Sequence, residues 1–155
     1  MEGLRHRPVP GRQPGHTCCP ATSPGEPATS TEENKAVVRR FITEVLQGGH
    51  LEVLEDVLAP TYVNPAMGGA DIAGFKAILT SLGAAVGMQF TNLDLVAEGD
   101  AVVARFTLEV TRTGAEKLSA QGLTYYRLAD GKIVEDDPFT RPDLGQLLGM
   151  APPAA

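Results

Sequence analysis

Proton-transfer chemistry is most concentrated between Leu123 and Phe139, in the stretch LTYYRLADGKIVEDDPF. Thr124, Tyr125, Tyr126 and Arg127 lead into it, and Glu135, Asp136 and Asp137 lead out. Carboxylates beside phenols and hydroxyls are the equipment of general acid–base catalysis, provided that burial brings a carboxyl pKa near the working pH. The stretch reads as a β-hairpin, because the Asp130-Gly131 pair tolerates the positive φ of a tight type I′ turn between two β-rich runs. A two-residue loop pairs Ala129 with Lys132, Leu128 with Ile133, Tyr126 with Glu135 and Thr124 with Asp137. Alternation then puts Thr124, Tyr126, Leu128, Ile133, Glu135 and Asp137 on one face. A one-residue slip would turn Asp137 outward and bring Asp136 in. The plainer reading of Glu135-Asp136-Asp137 is a solvated acidic run at a strand end.

The elements that must position this hairpin follow from the period of the apolar residues. Ser30-Thr31-Glu32-Glu33 is a capping box, and Val38, Phe41, Ile42, Val45 and Leu46 repeat at helical spacing until Gly48-Gly49. A second short helix carries Leu51, Leu54, Val57 and Leu58 and stops at Pro60, with Tyr62 and Val63 as a short strand after it. A third begins at Asp71, best explained as an N-cap, and presents Phe75, Ile78, Leu79 and Leu82. From Gln89 the period becomes two. Strands are expected over Gln89–Ala97, Val102–Thr111 and Lys117–Leu128, followed by the hairpin's return strand. Gly122, inside a strand, suggests a bend or a close backbone approach. Thr140-Arg141-Pro142-Asp143 can cap a last short helix bearing Leu144, Leu147 and Leu148. Helices followed by an antiparallel meander make an α+β domain, with helices on one side of a bent sheet.

Composition narrows the possibilities. The chain has 155 residues, 43% hydrophobic and 21% charged, which suits one soluble domain with a real core. Its net charge of −6 argues against nucleic acid and anionic membranes as partners. No apolar run nears the roughly 20 residues that span a bilayer. Residues 1–29 are rich in Pro, Gly, Ser and Thr and read as a disordered tail, and 151–155 as a second; the domain is expected over 30–150. Arg5 and Arg7 have no apolar stretch after them, so no secretory signal is expected. Cys18 and Cys19 are adjacent, with no zinc-ligand spacing, and suit reduced thiols in a cytoplasmic protein. There is no phosphate loop, nucleophile elbow or metal cluster, so no cofactor and no metal are expected. His50, at a helix start, reads as simply exposed.

The phrases NKAVVRRF, LEDVLAP before TYVNP, GFKAIL, LVAEGDAVVARFT and YYRLADGKIVE resemble the SnoaL-like polyketide cyclases of the nuclear transport factor 2 superfamily. The resemblance runs from about Glu33 to Met150. It implies a cone, in which a strongly curved antiparallel sheet wraps a hydrophobic pocket plugged by three N-terminal helices and a short C-terminal one. It also implies cofactor-free ring closure by an acidic general acid/base. The family's catalytic aspartate falls on Thr124 here, and two of its histidines fall on Arg112 and Pro65, so the usual catalytic set is changed.

The hairpin suggests a replacement. Asp137, opposite Thr124 in the expected register, is assigned as general acid/base, with Tyr126 and Asn64 positioning a substrate oxygen. Tyr62, Phe106, Leu108, Arg112, Thr124 and Glu135 are assigned to substrate binding. Two functions stay open: an enzyme that cyclises, isomerises, dehydrates or opens an epoxide on a hydrophobic small molecule, and a non-catalytic ligand-binding or dimerisation module. The other face of the long strand mixes Val103, Thr107 and Thr111 with Arg105 and Glu109, which suits a homodimer interface.

Overall fold

The Ser30 hydroxyl accepts from the Glu33 amide at 3.1 Å, and the Glu33 carboxylate accepts from the Ser30 amide at 2.8 Å. This capping box starts helix α1 (Thr31–Arg40) in the computed structural model, which describes residues 29–150. Of the expected tails over 1–29 and 151–155, all residues but Thr29 lie outside the described ones, Cys18 and Cys19 among them. The helix runs on as a π-helical stretch, Phe41–Gln47, and buries Val38, Phe41, Ile42 and Val45 almost completely. Gly49, at φ +73°, ends it. A 3₁₀ turn (Leu51–Val53) leads into the single turn of α2 (Leu54–Val57). Helix α3 (Ile72–Leu82) is capped by Asp71, whose carboxylate accepts from the Gly74 amide at 2.8 Å.

Five strands form one open, curved sheet: β1 (Leu58–Val63), β2 (Val86–Glu98), β3 (Ala101–Arg112), β4 (Leu118–Ala129) and β5 (Lys132–Arg141). Their order is β1-β5-β4-β3-β2, and all pairs are antiparallel except β1 with β5. The sheet is therefore mixed, where a wholly antiparallel one was expected. The reason is topological: β1 leaves the helices running beside β5 and takes the free edge of the meander. Pro60 lies within this edge strand, where a missing amide costs no internal ladder bond, and does not end α2. A short helix α4 (Leu144–Leu148), capped by Asp143, closes the chain. Thr140 and Arg141, expected in that cap, belong to β5.

Along β3 and β4 every second side chain is buried, from Val102 to Val110 and from Ala120 to Leu128. These inner residues meet α1, the π-helical stretch and α3 in one core. Gly122 is a close approach, since a Cβ there would fall 2.5 Å from the Phe106 ring. Asn34 is buried in α1 and satisfied on both sides. It accepts from the Thr29 hydroxyl at 2.7 Å and donates to the Gly99 carbonyl at 3.2 Å, tying the helix to the β2–β3 turn.

Candidate active site

The β4–β5 hairpin turns as expected, with Asp130 at φ +50° and Gly131 at φ +74°. Ala129 pairs with Lys132 and Leu128 with Ile133. The register then shifts by one, so that Arg127 faces Glu135, Tyr126 faces Asp136, Tyr125 faces Asp137 and Thr124 faces Pro138. Val134 is the extra residue of a β-bulge. The cause is apolar burial: strict alternation would leave Val134 on the outer face, whereas the bulge buries both Ile133 and Val134. Asp136 is thereby turned inward and Asp137 outward.

This corrects the assignment of Asp137, which is half-buried beside Tyr125 on the outer side. Glu135 also leaves the site, pairing with the Arg127 guanidinium at 3.3 Å. Arg112, at the end of β3, packs against Gly149 and does not line the cavity. Asn64, Phe106, Leu108, Thr124 and Tyr126 do line it, and Tyr62 stands directly behind Asp136. His50 is exposed and meets Glu52 at 3.2 Å.

Asp136 is only 5% exposed. The Tyr62 hydroxyl donates to its Oδ1 at 2.6 Å, and the Asn64 amide reaches the same hydroxyl at 3.4 Å. Asn64 is oriented by the Met67 amide, which donates to its Oδ1 at 3.0 Å, so its Nδ2 points to the site. Phe75 stacks at a tilt on Tyr62 (5.8 Å between centroids), and Phe41 meets Tyr126 edge-on (6.1 Å), fixing both phenols from the helical side. Burial pushes the Asp136 carboxyl up to about 7, because charging it away from water outweighs the stabilising hydrogen bond from Tyr62; the neighbouring Asp137 charge raises it further. Tyr62 and Tyr126 are raised well above the ordinary tyrosine range, first by burial and then by the Asp136 charge. Both therefore stay neutral donors.

In front of Asp136 lies a cavity walled by Phe90, Phe106 and Leu108 and closed by Leu79, Leu82, Leu144 and Leu148 from α3 and α4. Its atom-free space is about 560 Å³ with the mouth included, but the centre of a water molecule can occupy only about 50 Å³. A bulky ligand must displace side chains to enter, and Met67 and Met88 in the lining are unbranched and adaptable enough to yield. The chemistry this arrangement supports is reversible proton transfer at one polar end of an apolar slot. No group of three or more His, Cys, Asp or Glu side chains among the described residues is placed to hold a metal ion. Asp136 was visible in the sequence only as the product of a slip; the signal for it is the adjacent pair Ile133-Val134, which breaks alternation just before the acidic run.

Solved structures resemble this one over most of its length. An M. tuberculosis LEH-like epoxide hydrolase superposes with a TM-score of 0.63 at 18% identity, covering 77% of this chain and 89% of its own. A SnoaL-like candidate polyketide cyclase from a Jannaschia species gives 0.63 at 20% identity, over 84% and 99%. A candidate polyketide cyclase from Acidithiobacillus ferrooxidans gives 0.60 at 23% identity, over 77% and 96%. At such identities the likeness establishes the fold, the nuclear transport factor 2-like cone. No curated protein sequence matches the chain. The model of the SnoaL-like domain matches residues 38–136, from the core of α1 to the inward-facing aspartate, and the chain belongs to that family.

Proposed function

We propose that this chain is a cofactor-independent enzyme acting on a hydrophobic small molecule, with Asp136 as its general acid/base. The observation behind the reading is a buried carboxyl at the end of an apolar cavity, held by Tyr62 and raised to about 7. Ionised, it takes a proton from a carbon next to a carbonyl, or from a water aimed at an electrophilic carbon. The acid so formed returns that proton to the developing oxygen of the product. Tyr126, and Asn64 through Nδ2, donate to that oxygen, and the apolar walls keep bulk water from competing. Tyr62 orients the carboxylate. Polyketide-type cyclisation and epoxide opening both fit this scheme, and they differ in one readout: only epoxide hydrolysis incorporates oxygen from labelled water.

The test is turnover on a panel of polyketide-type carbonyl compounds and of apolar epoxides. Asp136→Asn should lower turnover by roughly two to four orders of magnitude while the fold is kept, and Asp137→Asn should change it little. Full activity in Asp136→Asn would sink the reading. The narrowness of the cavity favours a second reading, a non-catalytic ligand-binding or dimerisation module of the same fold. That reading requires small apolar ligands to bind and leave unchanged.

A further inference from the structure

Thr140 lies four residues beyond Asp136 on β5 and lines the same cavity. Its hydroxyl oxygen is buried and has no hydrogen-bond partner. A buried hydroxyl left unpaired is destabilising, and few such groups persist in native proteins without a use. Its place suggests the use. Thr140 belongs both to the inner cavity and to an outer pocket whose atom-free space, mouth included, is about 1010 Å³, and Met67, Pro138 and Leu144 line both as well. It thus stands at the seam between the enclosed slot and the more open space under α4. Strand geometry sets its Cα roughly 13 Å from that of Asp136. Pro138 and the Phe106 ring supply apolar wall along the cavity.

We propose that Thr140 is a specificity-determining residue, whose hydroxyl hydrogen-bonds an oxygen at the outer end of an elongated apolar substrate while the inner end reaches Asp136. The proposal rests on reading the inner cavity as the active site. It specifies the substrate class as slender or flat apolar molecules with an oxygen function near each end. The correct substrate then gives this hydroxyl a partner, and a substrate lacking the outer oxygen does not.

Three probes of one shape test it: biphenyl, its para-hydroxy derivative, and the diol with a hydroxyl at each para end, titrated calorimetrically. Wild type should bind the diol most tightly. Thr140→Val, which keeps the shape and removes the hydroxyl, should lose about tenfold for the diol and nothing for biphenyl, and Thr140→Ser should recover most of the loss. Without ligand, Thr140→Val should melt no lower than wild type, because it removes a group with no partner. Equal affinity of wild type for diol and biphenyl, no binding of any probe, or a clearly lower melting temperature for Thr140→Val would each overturn the proposal. Asp136→Asn separates the two readings. If it leaves diol affinity unchanged while Thr140→Val weakens it, the outer anchor stands and the inner contact with Asp136 falls, its catalytic role being judged by turnover alone; the reverse pattern removes Thr140 alone.

Discussion

Asp136 is stable in its position only at a cost that depends on pH. Its ordinary pKa in an unfolded chain is about 3.9, and burial raises it to about 7 in the fold. Between those values the folded protein holds a proton that the unfolded chain has released, so stability falls as pH rises through the window and stays reduced above it. Asparagine keeps the shape of the neutral acid and cannot ionise. Asp136→Asn should therefore be more stable than wild type by roughly 2–4 kcal/mol near pH 8, with the gap closing towards pH 4. Paired thermal melts across that range check the sign. A gap independent of pH would mean that Asp136 titrates like an exposed carboxyl. A stability gain joined to a loss of turnover is the pattern expected where a site is held in a strained charge state for function.

At the scale of elements, the β4–β5 hairpin does two jobs. Its bulge at Val134 turns Asp136 inward, and Gly122 on the neighbouring strand gives the Phe106 ring its place against the sheet. A methyl group at position 122 would meet that ring at 2.5 Å and Thr140 at 3.1 Å, so one of them must move into the cavity. Gly122→Ala should cost about 1–3 kcal/mol in overpacking, offset by about 0.4–1 kcal/mol from a stiffer unfolded chain. Denaturant unfolding should thus show a net loss together with weaker binding of apolar ligands. A variant as stable as wild type would show that the Phe106 ring has slack. Much of this element was legible beforehand, because Asp130-Gly131 specifies its turn and Gly122 flags a close approach. The bulge was not, because a count of residues from the turn assumes an unbroken ladder.

At the scale of the whole molecule, the outer face of the sheet carries an exposed apolar patch. Val96, Val103 and Tyr125 lie side by side across three strands, and Leu123 pairs with Phe139 in a neighbouring row; all five are exposed, Phe139 at 62%. Asp94 and Arg105 face each other beside them, so the patch offers apolar contact with both signs of charge at hand. Such a surface marks an interaction site more often than a free one. We propose that two copies pair through it as a homodimer. Light scattering at tens of micromolar should give about twice the 16.3 kDa of one chain, and Leu123→Glu combined with Phe139→Glu should give monomers that keep their fold. A wild type that scatters as a monomer removes the idea. No helix among the described residues is long and apolar enough to cross a membrane.

What the chain's order of residues determined by itself was local. Ser30 and Glu33 start α1, Asp71 starts α3, period-two alternation makes β3 and β4, and Asp130-Gly131 makes the tight turn, because each rests on contacts within a few residues. The family resemblance, resting on such phrases together, reached the fold, and the sequence reading named Asn64, Phe106, Leu108, Thr124 and Tyr126 of the cavity lining. Only the tertiary structure decided which carboxylate enters the cavity, that the Tyr62 hydroxyl on β1 holds it directly, and that β1 runs parallel to β5. Tyr62 and Asp136 are 74 positions apart in the chain. Whether Val134 is worth burying depends on the neighbours the completed fold supplies, and that balance, settled by packing, placed Asp136 inside and Asp137 outside.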